Sequence, residues 1–165
     1  MNLEKKCDES YEEIYRKQHS YVAGKSNRVI KFKGKLMHSS EWVFGNLIVA
    51  KNGDAYIIPQ SIFEPDGHHL IINSDNPFRV DINTVSQFAG LTDKNGVDVY
   101  EGDIYKTTKY SGTPGKFDRF IGEIKFNSRS FIVCGINKYY GMNAELYSLG
   151  EVIGNIYDNS NYIVD

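Results

Sequence analysis

The sequence predicts an α+β fold that is mostly β, with a short N-terminal helix and a small β-barrel in the C-terminal half. Apolar and polar residues alternate from Val29 onward, which is typical of half-buried strands. Asn-Gly and other glycine turns separate these runs. A helical stripe occurs only near the N-terminus. A chain of 165 residues with 41% hydrophobic residues suits one domain, or one domain with an intertwined subdomain.

Residues 1–27 are predicted to form an N-terminal helical extension. Its apolar residues recur at spacings of three and four, with charged residues on the other faces: Leu3, Cys7, Tyr11, Ile14 and Tyr15. Gly24 follows as a plausible stop. Because such a short helix with a thin apolar stripe is marginal alone, we expect it to dock on its own sheet or on a partner's.

Residues 28–86 are predicted to form an N-terminal β-rich subdomain. Its first strand alternates Ile30 and Phe32 with Lys31, Lys33 and Lys35. A row of lysines can bind an anion, and Lys31 and Lys33 are candidate binding residues. The interpretation we favour is an edge strand, where lysine blocks pairing between sheets.

The rest of this subdomain alternates short extended runs with turns. Strands are predicted at Trp42–Ala50, Ala55–Ile58, His69–Ile72 and Phe78–Val80, with a tight turn at Asn52–Asp54. The Asp81–Val85 segment resembles a single helical turn, with Asp81 or Asn83 as its cap.

Residues 87–165 are predicted to form the barrel subdomain. Asn95-Gly96 supplies the positive φ values of a tight hairpin, and Gly102 turns the chain again between Glu101 and Asp103. Strands are predicted at Val97–Tyr100, Ile104–Lys109, Phe120–Phe126, Ser130–Ile136 and Val152–Tyr157, with a tyrosine-bearing turn at Asn137–Gly141. The small-residue loop from Tyr110 to Lys116 is a surface segment where a binding function could reside, so both of these residues are candidates.

Three blocks of the sequence resemble the YopX family of phage and prophage proteins. The first block consists of Gly90, Leu91, Asp93, Gly96, Tyr100, Glu101, Gly102, Asp103 and Ile104. The second is Glu151–Asn159, which includes Gly154 and Asn155, and the third joins Lys31–Gly34 to Trp42–Leu47. The resemblance spans residues 28–160. It implies a phage-encoded protein with an SH3-like barrel and a tendency to self-associate, but it implies no activity, because the family is functionally uncharacterised.

Candidate catalytic groups are few, and the sequence predicts no enzyme, no cofactor and no metal. Glu64, Asp66, His68 and His69 crowd together, but adjacent histidines on a strand point to opposite faces, which favours a polar turn. Glu101 and Asp103 flank a turn glycine, where carboxylates commonly accept backbone N–H groups. Cys134 lies in an apolar run, and a buried thiol there would be inert.

Charge is distributed unevenly along the chain. Residues 1–35 hold nine Lys/Arg against five Asp/Glu, a balance of +4, whereas the remainder has a balance of −6. These regions could pair within one chain or between subunits. The acidic remainder argues against broad nucleic-acid binding, which relies on a basic surface.

Three functions remain open from the sequence. The leading hypothesis is a phage accessory protein that acts by binding a phage or host protein or by homo-oligomeric assembly. The first alternative is a nucleic-acid-binding barrel that uses Lys31, Lys33, Lys35, Lys106, Lys109 and Lys116. The second is a small metal-dependent hydrolase built around Glu64, Asp66 and His68. With no signal peptide, no membrane-spanning run and two reduced thiols, a cytoplasmic location in the bacterial host is expected.

Overall fold

The computed structural model describes residues 29–59, 78–110 and 117–159. This part of the chain contains eleven strands and two 3₁₀ turns, at Ile82–Thr84 and Asn137–Tyr139. The strands are β1 (Phe32–Lys35), β2 (Trp42–Val49), β3 (Ala55–Ile58), β4 (Arg79–Val80), β5 (Ser86–Thr92), β6 (Asp98–Tyr100), β7 (Asp103–Tyr110), β8 (Phe117–Phe126), β9 (Phe131–Gly135), β10 (Asn143–Glu145) and β11 (Glu151–Asn155). The helix predicted within residues 1–27 and the strand predicted at His69–Ile72 lie outside the described residues.

The first sheet has six strands in the order β4-β3-β2-β1-β5-β6. Strand β1 pairs antiparallel with β2 on one side, where Lys33 lies opposite Phe44. It pairs with β5 on the other side, where Phe32 lies opposite Gln87. The prediction that the lysine-bearing strand is an edge strand is therefore wrong, because both of its flanks are occupied by neighbours.

The second sheet has five antiparallel strands in the order β10-β9-β8-β7-β11. Its long central pair, β7 and β8, runs in register from Ile104 opposite Glu123 to Tyr110 opposite Phe117. Strands β10 and β11 form its two edges, and no pairing between described residues closes it into a barrel. The predicted subdomain boundary at Gln87 falls at the start of β5, which the structure places in the first sheet.

The described residues form two apolar cores, one on each sheet. Val43, Ala55, Ile57 and Val80 form the first core. Val99, Tyr105, Phe120, Ile124 and Val133 form the second core. Val99 belongs to β6 of the first sheet but packs in the second core. The β5–β6 hairpin therefore links the first sheet to the core of the second.

Most of the predicted local structure is observed. Asp81 caps the 3₁₀ turn at Ile82–Thr84, where its carboxylate accepts the N–H of Asn83 at 3.0 Å. Strand β10 was not predicted, because three residues with exposed ends give no alternation to read. Within the described residues, no helix has the length and apolar character needed to cross a membrane.

Cys134 is only half-buried on β9, which differs from the core position that the sequence predicts. Burial nevertheless raises the pKa of its thiol, and the charge of nearby Glu123 acts in the same direction, while Lys125 opposes them. A raised pKa keeps the thiol protonated and weakly nucleophilic.

Candidate functional site at the junction of the two sheets

Lys31, which lies just before β1, and Lys33 and Lys35 within β1 each pair with an aspartate from a distant part of the chain. Lys31 binds Asp98 of β6, and Lys35 binds Asp158, which follows β11. Between them, Lys33 Nζ lies 2.5 Å from Asp103 Oδ1 at the start of β7. These three lysines of the basic start thus pair with aspartates of the acidic remainder within one chain, and they do not form a free anion-binding stripe.

Each of these ammonium groups also lies over an aromatic ring. Lys31 Nζ is 4.3 Å from the centroid of Phe88, and Lys35 Nζ is 5.5 Å from that of Trp42. Lys33 Nζ lies between two rings, 4.8 Å from Trp42 and 4.9 Å from Tyr100. Carboxylate, ammonium and ring therefore form a unit that occurs three times between Lys31 and Lys35, in which ion pairing and cation–π attraction act together.

Lys33 and Asp103 form the buried centre of this junction. Only 7% of Lys33 and 2% of Asp103 is exposed to solvent. Burial raises the pKa of the Asp103 carboxyl, and the Lys33 ammonium offsets only part of that rise. Asp103 Oδ2 also accepts the backbone N–H of Tyr100 at 2.7 Å, so the carboxylate has a partner on each oxygen.

Tyr100 lies beside this pair, at the end of β6. Burial raises the pKa of its phenol, and the negative charges of Asp98 and Asp103 raise it further. Tyr100 is therefore a neutral phenol at physiological pH, and its ring serves as a wall for Lys33.

A second group of contacts holds the closing segment, residues 155–158 at the end of β11 and just after it, against β1 and β2. Asp158 accepts hydrogen bonds from Lys35, from Trp42 Nε1 at 2.8 Å and from Asn155 Nδ2 at 2.9 Å. The Lys35 and Asn155 hydrogen bonds lower the pKa of Asp158 to about 2, with a smaller contribution from Trp42, although burial opposes them. The ring of Tyr157 lies edge-on to Trp42, with 5.6 Å between centroids.

Asn155 shapes this closing segment through its own side chain. Its Oδ1 accepts the backbone N–H groups of Tyr157 and Asp158, both at 2.9 Å. The chain therefore turns immediately after β11 and places Asp158 against β1. Gly154 lies just before it, at a register shift where a Cβ would come within 2.5 Å of Asn159 Oδ1.

The tight turn after β5 is fixed by the carboxylate of Asp93. Its Oδ1 accepts the N–H groups of Asn95 at 2.7 Å and Val97 at 2.9 Å, and its Oδ2 accepts that of Val152 at 3.0 Å. Burial acts to raise the pKa of Asp93, but the three backbone hydrogen bonds outweigh it and hold the pKa below the ordinary value. Gly96 has φ +81°, as a tight turn requires. Asp93 thereby ties this turn to β11.

The second turn, between β6 and β7, contacts the closing segment as well. Gly102 has φ +77°; its N–H donates to Ile124 O and its carbonyl accepts the N–H of Ile156, both at 2.9 Å. Glu101 takes part through its backbone, whose N–H donates to Gln87 O at 2.9 Å. Glu101 and Asp103 thus serve the turn in different ways. Glu101 uses its backbone N–H, whereas Asp103 uses its side-chain carboxylate, which accepts the backbone N–H of Tyr100.

A pocket of about 330 Å³ opens beside the junction. Its lining comes from both sheets and from the turns that join them: Lys33, Phe44, Val97, Asp98, Tyr100, Asp103, Val152, Gly154 and Asn155. Phe44 is 51% exposed, and its ring lies 5.8 Å from that of Tyr100. Three sequence blocks that are far apart therefore meet around one open concavity.

Among the other candidates from the sequence, Lys31 does not line this pocket and pairs with Asp98 beside it. Tyr110 ends β7 opposite Phe117. Lys116 and the group Glu64, Asp66, His68 and His69 lie outside the described residues. Across 29–59, 78–110 and 117–159, no three His, Cys, Asp or Glu side chains gather in a way that could hold a metal ion.

The sequence interpretation missed the pocket residues that come from β2 and β6. Phe44 is two residues from Trp42, so period-2 alternation places both rings on one face of β2. That signal was available. The pairing of Asp98 and Asp158 with β1 had no local signal, because it joins residues 67 and 123 positions apart.

The comparison with protein-family models agrees with the sequence motifs. Residues 31–163 match the family model described as YopX protein. The chain is also similar to a solved structure, that of protein EF1440 from Enterococcus faecalis, with 21% identity over 83% of this chain and 99% of that one and a TM-score of 0.43. No curated protein matches the chain.

Proposed function

The chain belongs to the YopX family, and on this premise we propose that it is a phage-type accessory protein that acts by binding or homo-oligomeric assembly, not by catalysis. The observation that carries the proposal is the way the junction uses its ionisable groups. Lys31, Lys33 and Lys35 are held in pairs with aspartates, and the pairs of Lys33 and Lys35 link the first sheet to β7 and to the segment after β11. The pocket beside these pairs, with its exposed Phe44 ring, is open to a partner.

The geometry of the acidic groups also supports a binding role over catalysis. A catalytic carboxylate needs access to substrate and a pKa near the working pH. Asp93 spends both oxygens on backbone N–H groups, and Asp103 is 2% exposed with both oxygens engaged. These two carboxylates suit the holding of turns better than the transfer of protons.

The nucleic-acid alternative loses three of its six proposed lysines to the junction. Phosphate binding requires free cationic side chains, and those of β1 are already neutralised by aspartates. The same lysines therefore support the architecture more directly than they support a nucleic-acid surface.

We retain the SH3-like barrel as a proposal for the C-terminal half. The five strands β7–β11 enclose the core around Tyr105 and Phe120, and Val99 of the β5–β6 hairpin covers it from the other sheet. This arrangement would supply the walls of a small barrel that is completed by the hairpin instead of by β10 and β11 pairing with each other.

The binding role is tested by capture from a lysate of phage-infected host cells. The baits are the natural protein, a Phe44→Asp variant and a Phe126→Asp control. Phe126 is a suitable control because its exposed fraction, 49%, is similar to the 51% of Phe44. It lies on β8 and does not line the pocket. We expect a partner that the natural protein and the control retain and the Phe44→Asp variant loses.

Two results would speak against this proposal. A natural protein that captures nothing beyond a blank matrix, and that is also monomeric at tens of micromolar, has no binding or assembly role under these conditions. The hydrolase alternative would be restored by turnover of a tested substrate that persists in Phe44→Asp and requires one equivalent of zinc or manganese. Changing His68 or His69 should then remove that metal ion.

A further inference from the structure

We propose that the pocket beside the junction receives the cationic side chain of an arginine or lysine from a protein partner. The proposal rests on the proposed binding function and specifies its chemistry. The pocket lining carries Asp98, Asp103 and Lys33, and Lys31 pairs with Asp98 from outside the lining, so these four charges balance. What favours a cation is the local chemistry of the rim, where the exposed Phe44 ring and the second carboxylate oxygen of Asp98 both attract positive charge.

The junction itself shows that this chain holds ammonium groups with a carboxylate and a ring. The unit occurs at Lys31 with Asp98 and Phe88, and at Lys33 with Asp103 and Tyr100. The pocket presents the same combination facing solvent, with Phe44 as the ring and Asp98 as the carboxylate. No lysine or arginine among the described residues lies over the Phe44 ring.

Asp98 retains the capacity to bind a second cation. Its Oδ2 pairs with Lys31, whereas its Oδ1 makes no hydrogen bond to any residue that the structure describes. The side chain is 37% exposed, so a partner can reach it. Carboxylate oxygens accept more than one hydrogen bond, and two cations can therefore share this group.

Lys33 does not repel the guest strongly, because Asp103 neutralises it at 2.5 Å. Both members of that pair are almost fully buried, so the guest meets Phe44, Val97 and Asp98 first. Val97 and Val152 provide apolar walls for the methylene stem of an arginine or lysine, while the charged head stays near Asp98. A volume of about 330 Å³ accommodates one such side chain with ease.

Titration of the intact protein with single amino-acid probes, followed by NMR, tests the proposal. The cationic probes are Nα-acetyl-arginine-N-methylamide and its lysine counterpart. Their neutral matches are the citrulline and Nε-acetyl-lysine forms. We expect saturable shifts at the backbone amides of Val97, Asp98 and Phe44 with a dissociation constant in the millimolar range. The neutral probes should bind about tenfold more weakly, since they lack the ion pair and the cation–π contact.

Substitutions then assign the contacts. Phe44→Ala and Asp98→Asn should each weaken binding by about fivefold or more, and Phe126→Ala should leave it unchanged. Should Asp98→Asn disturb folding through its lost pair with Lys31, Phe44→Ala carries the test alone. Equal binding of neutral and cationic probes, unchanged binding by Phe44→Ala, or no saturable shift would each overturn the proposal. Such a failure would concern cation recognition only, since capture of a partner is measured separately.

Discussion

Lys33 and Asp103 show what a single pair of residues does at the junction of the sheets. Taking two charges out of water is costly, and their attraction compensates only when the geometry is good and the remaining lone pairs are used. Here the ammonium has a carboxylate at 2.5 Å and two rings, and the second carboxylate oxygen accepts the Tyr100 N–H. The pair is therefore well compensated, and either partner alone would be a buried, uncompensated charge.

Lys33→Met should consequently destabilise the protein by about 3–5 kcal/mol, the cost of leaving one charge of a buried pair without its partner. Chemical denaturation measures this change in the free energy of unfolding. Lys94→Met is the matched control, because its pair with Glu151 is exposed and screened by solvent, so its loss should change the free energy of unfolding far less. The double variant Lys33→Met with Asp103→Asn should recover much of the loss, since the Asn oxygen still accepts the Tyr100 N–H. Equal losses for Lys33→Met and Lys94→Met would contradict this account.

The titration of Asp158 reports on the contact between the closing segment and β1, because Asp158 forms an ion pair with Lys35. Its pKa is about 2, against an ordinary value of 3.8, and Lys35 is the main cause. Because the pKa is depressed in the folded protein, its contribution to stability is complete above pH 4 and is lost as the pH falls through about 2.

In Lys35→Met the pKa of Asp158 should rise toward 3.8, with Asn155 and Trp42 retaining part of the shift. NMR titration of the side-chain carboxyl carbon checks this value. Lys94→Met again serves as the control and should leave the Asp158 pKa unaltered. If both variants titrate like the natural protein, the Lys35 contact does not persist in solution.

At the scale of elements, the two turns around β6 hold the edge strand β11 in place. The Asp93 carboxylate accepts the Val152 N–H, and the Gly102 carbonyl accepts that of Ile156. Gly96 and Gly102 have similar positive φ values, +81° and +77°. They differ in surroundings: a Cβ at Gly96 meets nothing within 4 Å, whereas one at Gly102 would lie 3.1 Å from Tyr157 Cε2.

Gly102→Val should therefore destabilise by more than about 1 kcal/mol, and by more than Gly96→Val. Both substitutions strain a left-handed backbone, but only the first also displaces the closing segment. Thermal melts of the two variants separate strain from crowding. A melting temperature that Gly102→Val leaves unchanged would refute the turn conformation, and equal losses would refute the contact with Tyr157.

At the scale of the whole molecule, two apolar cores are joined through an ionic and aromatic junction. Lys31, Lys33 and Lys35, three of the nine basic residues among the first 35, are paired with aspartates of the same chain. These three lysines therefore give no argument for contact between copies. The sequence offers an apolar stripe for such a contact at Leu3–Tyr15.

We expect a homo-oligomer whose contact includes Leu3–Tyr15, held mainly by hydrophobic burial. Deleting residues 1–24 should lower the mass measured by light scattering or the melting temperature. The full-length double variant Leu3→Asp with Ile14→Asp is a second test. It interrupts the apolar stripe without shortening the chain, and it should have the same effect. A natural protein that is monomeric at tens of micromolar, together with a deletion that changes neither property, would show that the assembly interpretation is wrong.

The sequence by itself determined the local structure and the family. The alternation of apolar and polar residues predicted β2, β3, β7, β8 and β9. The Asn-Gly and Glu-Gly-Asp motifs predicted the turns on either side of β6, and three sequence blocks predicted YopX membership. These signals are local, because strand period and turn chemistry depend on neighbouring residues. The tertiary structure alone decided that β1 is an inner strand, that the second sheet is open, and that Lys33 meets Asp103. Those outcomes depend on long-range pairings, such as that of Lys33 with Asp103 across 70 residues, where burial and charge choose partners that spacing does not specify.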